Sequence, residues 1–331
     1  MNVVGVDVKD VNDSVVPYLG AKYYRVPMAD RKEEYIKMLL SVCREEKVDV
    51  ILPLTIEETL VILSEEKQFT EKGVKIANRN SIENIKICAD KWRTIDFLKQ
   101  NGVDVPDAFP VFSVEDIAEK IFGLDYPNNR VVIKPRITHG SRGFKIITAD
   151  REDLSLIETL KPSDYHFITL DYLKEILEGK YLNSLLMEYL DGDDYSVYSF
   201  CVGGEPVVVL PMKRTGLIPG MSTGGVIEKN EAIIEYVGEI IRSFGFNGSI
   251  NIQLKNTSNG PLLYEINSRI SATTTIALGA GMNFPMYEVL LALGKVSELK
   301  KLAASVVIPW GLKLHRIHRE IYQDQERFFE K

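Results

Sequence analysis

The chain has 331 residues, 45% hydrophobic and 26% charged, with a formal net charge of -7 at pH 7. This is the composition of a globular protein long enough to bury more than one core, and its acidic balance argues against a nucleic-acid partner. Three widely spaced cysteines predict neither a disulfide framework nor a zinc site. The N-terminus shows no signal peptide, and no apolar run reaches the roughly 18 residues of a membrane helix. We therefore expect a cytoplasmic protein without a membrane partner.

Up to Asp90, short apolar strands alternate with amphipathic helices. This alternation predicts a parallel sheet, as in α/β proteins. Asp30 and Glu33 have the spacing of a capping box at the start of the first long helix. We place a domain boundary near Asp90, which opens a helix that ends before Gly102. The predicted strands are Val3–Val6, Tyr23–Val26, Val48–Leu54 and Val74–Ala77, and the predicted helices are Arg31–Glu46, Ile56–Glu66 and Asp90–Asn101.

Beyond Asp90 the pattern changes to a mixed α+β arrangement with antiparallel pairs. Two of these pairs are hairpins, because glycine-containing turns at Gly203-Gly204 and Asn259-Gly260 separate apolar runs. The predicted strands are Arg130–Lys134, Phe144–Thr148, Leu185–Leu190, Tyr195–Val202, Pro206–Met212, Ser249–Lys255, Leu262–Asn267, Val306–Ile308 and Leu312–Ile317, and the predicted helix is Glu231–Phe244.

A lysine at the end of one strand precedes a glycine-containing loop. Lys134 is followed by Thr138-His139-Gly140-Ser141-Arg142-Gly143. Glycines let backbone N–H groups approach phosphate oxygens closely, and a lysine adds a point charge. A hairpin turn beside a solvated lysine explains this stretch equally well. The loop lacks the Gly-Lys-Ser/Thr of a P-loop, and no G-x-G-x-x-G occurs in the chain.

A second stretch places four carboxylates within Glu188–Asp194. For Asp191 and Asp193 an acidic connecting loop is the favoured interpretation. Glu188 differs, because it lies within an apolar strand, where an unpaired carboxylate is costly.

A third stretch combines oxygen donors on two neighbouring strands. Strand alternation places Glu265, Asn267 and Arg269 on one face, with Gln253 on the paired strand. Oxygen donors in such a cluster suit magnesium, and the arginine could hold a phosphate through two hydrogen bonds. The alternative interpretation is a polar sheet face exposed to water.

In this order and spacing, the three stretches resemble the ATP-grasp superfamily, and are most similar to the large chain of carbamoyl-phosphate synthase and stand-alone carboxylate–amine ligases. The resemblance runs from about Val3 to the end of the chain. It implies an α/β N-terminal (pre-ATP-grasp, Rossmann-like) lobe followed by an α+β ATP-grasp domain of two lobes. The expected boundaries are 1–89, 90–190 and 191–331.

The resemblance also implies roles for residues at matching positions. ATP and Mg²⁺, or Mn²⁺ in its place, are the implied cofactors. Lys134 and Arg269 would take part in catalysis. The implied phosphate contacts are Lys91, Lys134, Gly140, Ser141, Arg142, Gly143 and, more loosely, Lys213 with Arg214. The implied adenine-binding segment is Glu188, Tyr189 and Leu190, and Asp194 is the implied ribose contact. The implied metal ligands are Gln253, Glu265 and Asn267.

Three departures from the family pattern stand out. Ser268 replaces the proline usual in Glu-x-Asn-Pro-Arg, and the glycine loop carries His139 and Arg142 in place of further glycines. The chain also begins at what resembles the family's second strand. A central strand is then expected to be missing from the first lobe, unless the polypeptide starts further upstream or something else fills the gap.

The expected function is an ATP-dependent ligase that activates a small-molecule carboxylate as an acyl phosphate for an amine-type acceptor. Gly216–Gly225 and Thr273–Thr275 are predicted to line the acceptor side, and a homodimer is expected by analogy. Two alternatives stay open: a partial carbamoyl-phosphate synthase, and a regulatory ATP-binding protein without turnover. A dehydrogenase lacks its fingerprint, and His315 and His318 fall on opposite faces of a strand, which disfavours a metal site there.

Overall fold

The computed structural model shows three sheet-containing lobes in chain order. Within the part of the chain that it describes, no helix is long and apolar enough to cross a membrane. The described residues are 2–138, 140, 142–149, 166–218, 221–317, 320–323 and 328–329.

The N-terminal lobe contains two separate parallel strand pairs. Parallel pairing was predicted and is confirmed, but the described strands form two two-stranded sheets and not one continuous sheet. Val6 from one pair and Ile51 from the other pack against the same helical core around Tyr35 and Ile36. Both pairs therefore share one helix layer. The strands are β1 (Val4–Asp7), β2 (Lys22–Arg25), β3 (Val50–Ile51) and β4 (Lys75–Ile76).

The first helix of this lobe does not begin as predicted. The prediction of a capping box at Asp30 and Glu33 is wrong, because the residue before the helix is Arg31, whose side chain makes no capping hydrogen bond. Thr55 and Glu58 form a capping box instead, at the second helix. The helices are α1 (Lys32–Glu46), α2 (Ile56–Ser64), α3 (Glu66–Thr70) and α4 (Ile82–Ala89), of which α4 was not predicted.

The second lobe is a five-stranded sheet with the strand order β5-β9-β6-β7-β8. β6 and β7 form the predicted antiparallel pair on either side of the glycine loop. Its strands are β5 (Ala108–Val111), β6 (Val131–Pro135), β7 (Lys145–Ile147), β8 (Phe167–Ile168) and β9 (Ser184–Glu188), and its helices are α5 (Lys91–Gln100), α6 (Val114–Lys120) and α7 (Leu170–Leu177).

The third lobe is a six-stranded antiparallel sheet with the order β14-β13-β10-β11-β12-β15. Successive side chains of β10 point to opposite faces of this sheet, and each face packs against a different core. Val197 packs in the core that α8 covers, whereas Tyr198 packs in the core beneath α9 and α10. The elements are β10 (Asp193–Val202), β11 (Glu205–Ile218), β12 (Met221–Ile227), α8 (Glu231–Phe244), β13 (Gly248–Thr257), β14 (Gly260–Asn267), α9 (Thr275–Gly279), α10 (Phe284–Ala292), α11 (Val296–Ala304) and β15 (Lys313–His315).

Both predicted hairpins of this lobe and the whole of α8 are confirmed. The predicted strand Val306–Ile308 is wrong, because this apolar run pairs with no strand among the described residues and the side chain of Val307 is 90% exposed. A short pair, β16 (Tyr322–Gln323) with β17 (Phe328–Phe329), follows β15.

Candidate active site

Three predicted metal ligands lie together where the end of β14 pairs with the middle of β13. Gln253 is the cross-strand partner of Glu265, and the Asn267 side-chain amide donates a hydrogen bond to Glu265 Oε1 at 3.2 Å. Asn267 is 6% exposed, whereas Gln253 and Glu265 are half-buried. The alternative of a fully water-exposed face therefore does not describe this site. One carboxylate and two amide oxygens in this arrangement fit a magnesium ion that also takes phosphate oxygens.

Asn251 and Tyr198 form a second polar row beside these ligands. Asn251 is the cross-strand partner of both Tyr198 and Asn267. Its amide nitrogen donates to Ser196 Oγ at 2.8 Å, whereas its Oδ1 atom finds no hydrogen-bond partner among the described residues. A buried acceptor of this kind favours a further polar group at the site. Asn251 was not predicted, although its place two residues before Gln253 puts both side chains on one face.

Two buried lysines approach the same place from the second lobe. Lys134 on β6 donates to the backbone oxygen of Tyr264 at 3.2 Å, and Lys91 at the start of α5 donates to the oxygen of Thr138 at 2.8 Å. Burial, together with the charge of Lys91, lowers the pKa of Lys134 to about 7, although Glu265 opposes the shift. Burial likewise lowers the pKa of Lys91. In the free protein the positive charge of both lysines is therefore disfavoured, and an anionic ligand between them would restore it.

A buried ion pair connects α5 to the strand that carries Lys134. Arg136 Nε and Nη2 donate to the two carboxylate oxygens of Asp90, at 3.0 and 2.6 Å. Asp90 Oδ1 also accepts from the backbone of Trp92 and Arg93 and so caps α5. The pair fixes both lysine-bearing elements in one geometry, and Arg136 was not predicted.

The predicted phosphate loop is only partly described. Gly140, Arg142 and Gly143 are exposed, and Ser141 lies outside the described residues, as does His139. Gly143 has a φ of 72°, and a Cβ there would lie 2.8 Å from Pro135 Cγ. Glycine is therefore required at this position for the chain to turn back along β6.

The carboxylate of Glu188 has a structural partner. Its Oε1 atom accepts the Asp107 N–H at 2.8 Å, which explains how an acid is accommodated within an apolar strand. Tyr189 donates its N–H to the oxygen of Arg130 at 3.3 Å, and the Arg130 guanidinium lies 5.6 Å from the Tyr189 ring centre. Leu190 is buried. The assignment of these residues to an adenine edge stays a prediction.

Asp194 lies in a charged cluster beside the metal strand. Its carboxylate accepts from Tyr264 Oη at 2.9 Å and pairs with Arg214 at 3.4 Å and with Lys255 at 3.6 Å. Lys213, the neighbour of Arg214 on β11, lies on the opposite face and pairs with Asp193 at 2.6 Å. Of the two predicted cations, Arg214 is therefore the one that lies beside Asp194.

Arg269 follows the metal ligands directly. Its Nη1 atom donates to the oxygen of Ile270 at 2.9 Å, and its buried Nε finds no partner among the described residues. Burial lowers the pKa of Arg269, and the charges of Glu265 and Glu57 oppose this. Glu57 belongs to α2 of the N-terminal lobe.

Two family models match separate parts of the chain. Residues 1–77 match the model of a PylC-like, N-terminal domain, and residues 181–311 match the model of an ATP-grasp in the biosynthetic pathway with Ter operon. The first match lies within the predicted first lobe, and the second runs from the end of the predicted second lobe through most of the third.

Curated relatives include carbamoyl phosphate synthase large chains. The protein of Clostridium acetobutylicum is 21% identical over 304 residues, covering 88% of this chain and 26% of the relative. The protein of Sulfurisphaera tokodaii is 24% identical over 247 residues, covering 71% of this chain and 21% of the relative. The chain thus spans about a quarter or less of the length of these relatives.

Several solved structures share the fold. L-amino acid ligase from Bacillus licheniformis superposes with a TM-score of 0.57 at 15% identity, over 82% of this chain and 63% of that chain. Biotin carboxylase from Campylobacter jejuni gives 0.61 at 14% identity, over 92% and 66%. N5-carboxyaminoimidazole synthetase from Staphylococcus aureus gives 0.58 at 17% identity, over 84% and 66%. Together with the family matches, these structures confirm the predicted fold class.

Proposed function

This chain carries an ATP-grasp domain behind a PylC-like N-terminal domain, and on that premise we propose that it is an ATP-dependent ligase. Its substrates are a small-molecule carboxylate and an amine-type acceptor, and it releases ADP and phosphate. One observation carries the proposal. The buried side chains of Lys134 and Lys91 lie close enough to Glu265 for its negative charge to raise the pKa of both, and Glu265 lies beside Gln253 and Asn267. Cations and oxygen donors in one cluster suit a metal-bound triphosphate.

In the first step, a carboxylate oxygen forms a bond to the γ-phosphorus while the bond to the bridging oxygen breaks and ADP leaves. Lys134 and Lys91 bind and orient the phosphates, and Arg269 stabilises the equatorial oxygens of the transferring group. Gln253, Glu265 and Asn267 would hold Mg²⁺, or Mn²⁺ in its place, which supplies further neutralisation of the phosphate charge when bound.

In the second step, the amine nitrogen bonds to the carbonyl carbon, phosphate leaves with the oxygen that the carboxylate contributed, and the amine loses a proton. An acyl phosphate hydrolyses readily, so the site must exclude water. The loop that contains Gly140, Arg142 and Gly143 is proposed to cover the phosphates. Glu188–Leu190 and Asp194 are proposed to bind the adenine and the ribose, and the whole chain is proposed to form a homodimer.

A carbamoyl-phosphate synthase-like part reaction is the second candidate, favoured by the curated relatives. In that reaction the carboxylate would be bicarbonate or carbamate. A regulatory ATP-binding protein has no comparable support, because pure binding does not need a metal cluster beside Arg269.

The test is magnesium-dependent phosphate release from ATP across a panel of amino acids, small carboxylates and bicarbonate. We expect release that requires one carboxylate–acceptor combination, and a loss of at least about 100-fold in Glu265→Ala, the upper range for removing an outer partner of a metal ligand. Glu205→Ala is the matched control, since Glu205 is a strand glutamate at the opposite end of the sheet. ADP or ATP binding without stimulated release would favour the regulatory protein.

A further inference from the structure

A loop of the N-terminal lobe contacts the metal-bearing strand of the third lobe. Just beyond β4, Asn78 donates its side-chain amide to the backbone oxygen of Ser268 at 2.9 Å. Asn80 donates to the same oxygen at 3.5 Å and to Asn78 Oδ1 at 3.1 Å, which orients the Asn78 amide. Asn78, Asn80 and Ser268 are 4%, 5% and 1% exposed. These hydrogen bonds are therefore shielded from water, where they are strongest and where losing one costs most.

The backbone of Asn78 is fixed from the other side by a buried carboxylate. Glu288 on α10 accepts the N–H of Asn78 at 3.2 Å through one oxygen and the N–H of Ser249 at 2.6 Å through the other. Glu288 is 2% exposed. At neighbouring Gly248, with φ 91°, a Cβ would lie 2.7 Å from Glu288 Oε1, so the close approach requires glycine. Glu288 thus joins the Asn78 loop to the start of β13.

The carbonyl that Asn78 and Asn80 hold belongs to the residue between Asn267 and Arg269. Position 268 is a serine, whereas a proline ring would fix φ there. Serine leaves φ free, and the peptide that leads into Arg269 could then rotate. The two amide hydrogen bonds restrain this peptide from outside the strand.

We propose that Asn78, supported by Asn80 and Glu288, is a positioning residue for the metal and phosphoryl site: it restrains the peptide between Ser268 and Arg269 and so holds Asn267 and Arg269 in register. This inference rests on the proposed function, because it concerns the alignment of the proposed metal ligand and arginine. It assigns the N-terminal lobe a direct part in building the site. Outer partners that orient metal ligands typically contribute 10–100-fold to metal affinity or activity.

The test uses Asn78→Gly and measures ADP binding by calorimetry with and without Mg²⁺. Asn78 has a φ of 66°, which glycine adopts without strain, so the variant removes the amide and keeps the N–H that Glu288 accepts. We expect metal-free ADP affinity to stay within about twofold of wild type, and the Mg²⁺-dependent gain in affinity to fall by roughly 10- to 100-fold. Lys47→Gly is the matched control, since Lys47 also has a positive φ, of 51°, but lies at the end of α1.

Rescue separates positioning from a general loss of structure. Ser268 does not have a positive φ, and Asn267 before it is an extended strand residue, which is the conformation that favours a following proline. Ser268→Pro in the Asn78→Gly background should restore most of the Mg²⁺-dependent gain. If wild type shows Mg²⁺-dependent binding and Asn78→Gly shows the same dependence, the inference is overturned while the proposed function is not. Loss of metal-free binding, or no rescue by proline, would also overturn it. A wild type without Mg²⁺ dependence would refute the metal site itself, and the positioning role with it.

Discussion

Lys134 shows how burial prepares a side chain for an anionic ligand. Burial and the charge of Lys91 lower its pKa from the ordinary 10.5 to about 7. Between these two values the unfolded chain binds a proton that the folded chain does not, so this residue makes the free protein more stable as pH rises from 7 to 10.5. A triphosphate reverses the preference, because its negative charge favours the protonated lysine.

Nucleotide binding should therefore take up a proton at alkaline pH. With a pKa of about 7 in the free protein, Lys134 is mostly neutral at pH 8 and mostly protonated at pH 6. We expect more proton uptake per ADP at pH 8 than at pH 6, and affinity that weakens as pH rises above 7. Calorimetry in buffers of different ionisation enthalpy measures this directly. Lys134→Met should bind more weakly and lose the difference in uptake; equal uptake at both pH values in wild type would contradict the assignment.

Which residues could be predicted from the sequence depended on whether their neighbours are close in the chain. Glu265 and Asn267 alternate along one strand, so strand geometry alone placed them together. Asn78 could not be predicted in this way, because its partner Ser268 is 190 residues away and an asparagine after a short strand normally marks a turn. Arg214 was predicted only together with Lys213, and the register of β11 shows which of the two lies beside Asp194.

At the scale of elements, the Asp90–Arg136 pair fastens α5 to β6. Their side chains are 9% and 16% exposed, so removing Arg136 leaves the largely buried Asp90 carboxylate without its counter-charge and with only the Trp92 and Arg93 N–H groups as donors. Arg136→Met should lower the free energy of unfolding by about 3–5 kcal/mol. Arg93→Met is the matched control, because the Arg93–Glu83 pair is exposed and is worth about 0–1 kcal/mol.

Chemical denaturation of the two variants and of Asp90→Asn/Arg136→Met tests this role. The double variant should recover part of the lost stability, because it removes both charges, although the cap of α5 is weakened. If Arg136→Met were no less stable than Arg93→Met, the pair would not be a fastening between the two elements.

Element prediction succeeded where local signals were complete. Helix α8 has an amphipathic pattern, an Asn230 side-chain cap and a left-handed Gly245 at its end, and its bounds were predicted to the residue. Val306–Ile308 has the composition of a strand but no strand beside it, and a strand depends on its partner more than a helix does. Asp30 has the right spacing for a cap, but the chain enters α1 through Arg31.

At the scale of the whole molecule, the three lobes converge on one strand end. β14 carries Glu265 and Asn267, the second lobe contributes Lys134 and Lys91, and the N-terminal lobe holds Ser268 through Asn78. The described strands of the N-terminal lobe form two separate parallel pairs. Convergence of this kind could not be predicted from periodicity, because it depends on how the lobes dock. The expectation of a shared site came from the order of the motifs, which resemble those of a known family.

Transfer of an oxygen atom from the carboxylate to phosphate tests the central claim most directly. Once the substrate pair is known, the carboxylate is labelled with ¹⁸O and the released phosphate is analysed by mass spectrometry. An acyl phosphate intermediate predicts that one labelled oxygen appears in each phosphate, since the carboxylate oxygen bonds to the γ-phosphorus and leaves with it. Phosphate that carries no label while the ligated product forms would contradict activation of the carboxylate by ATP.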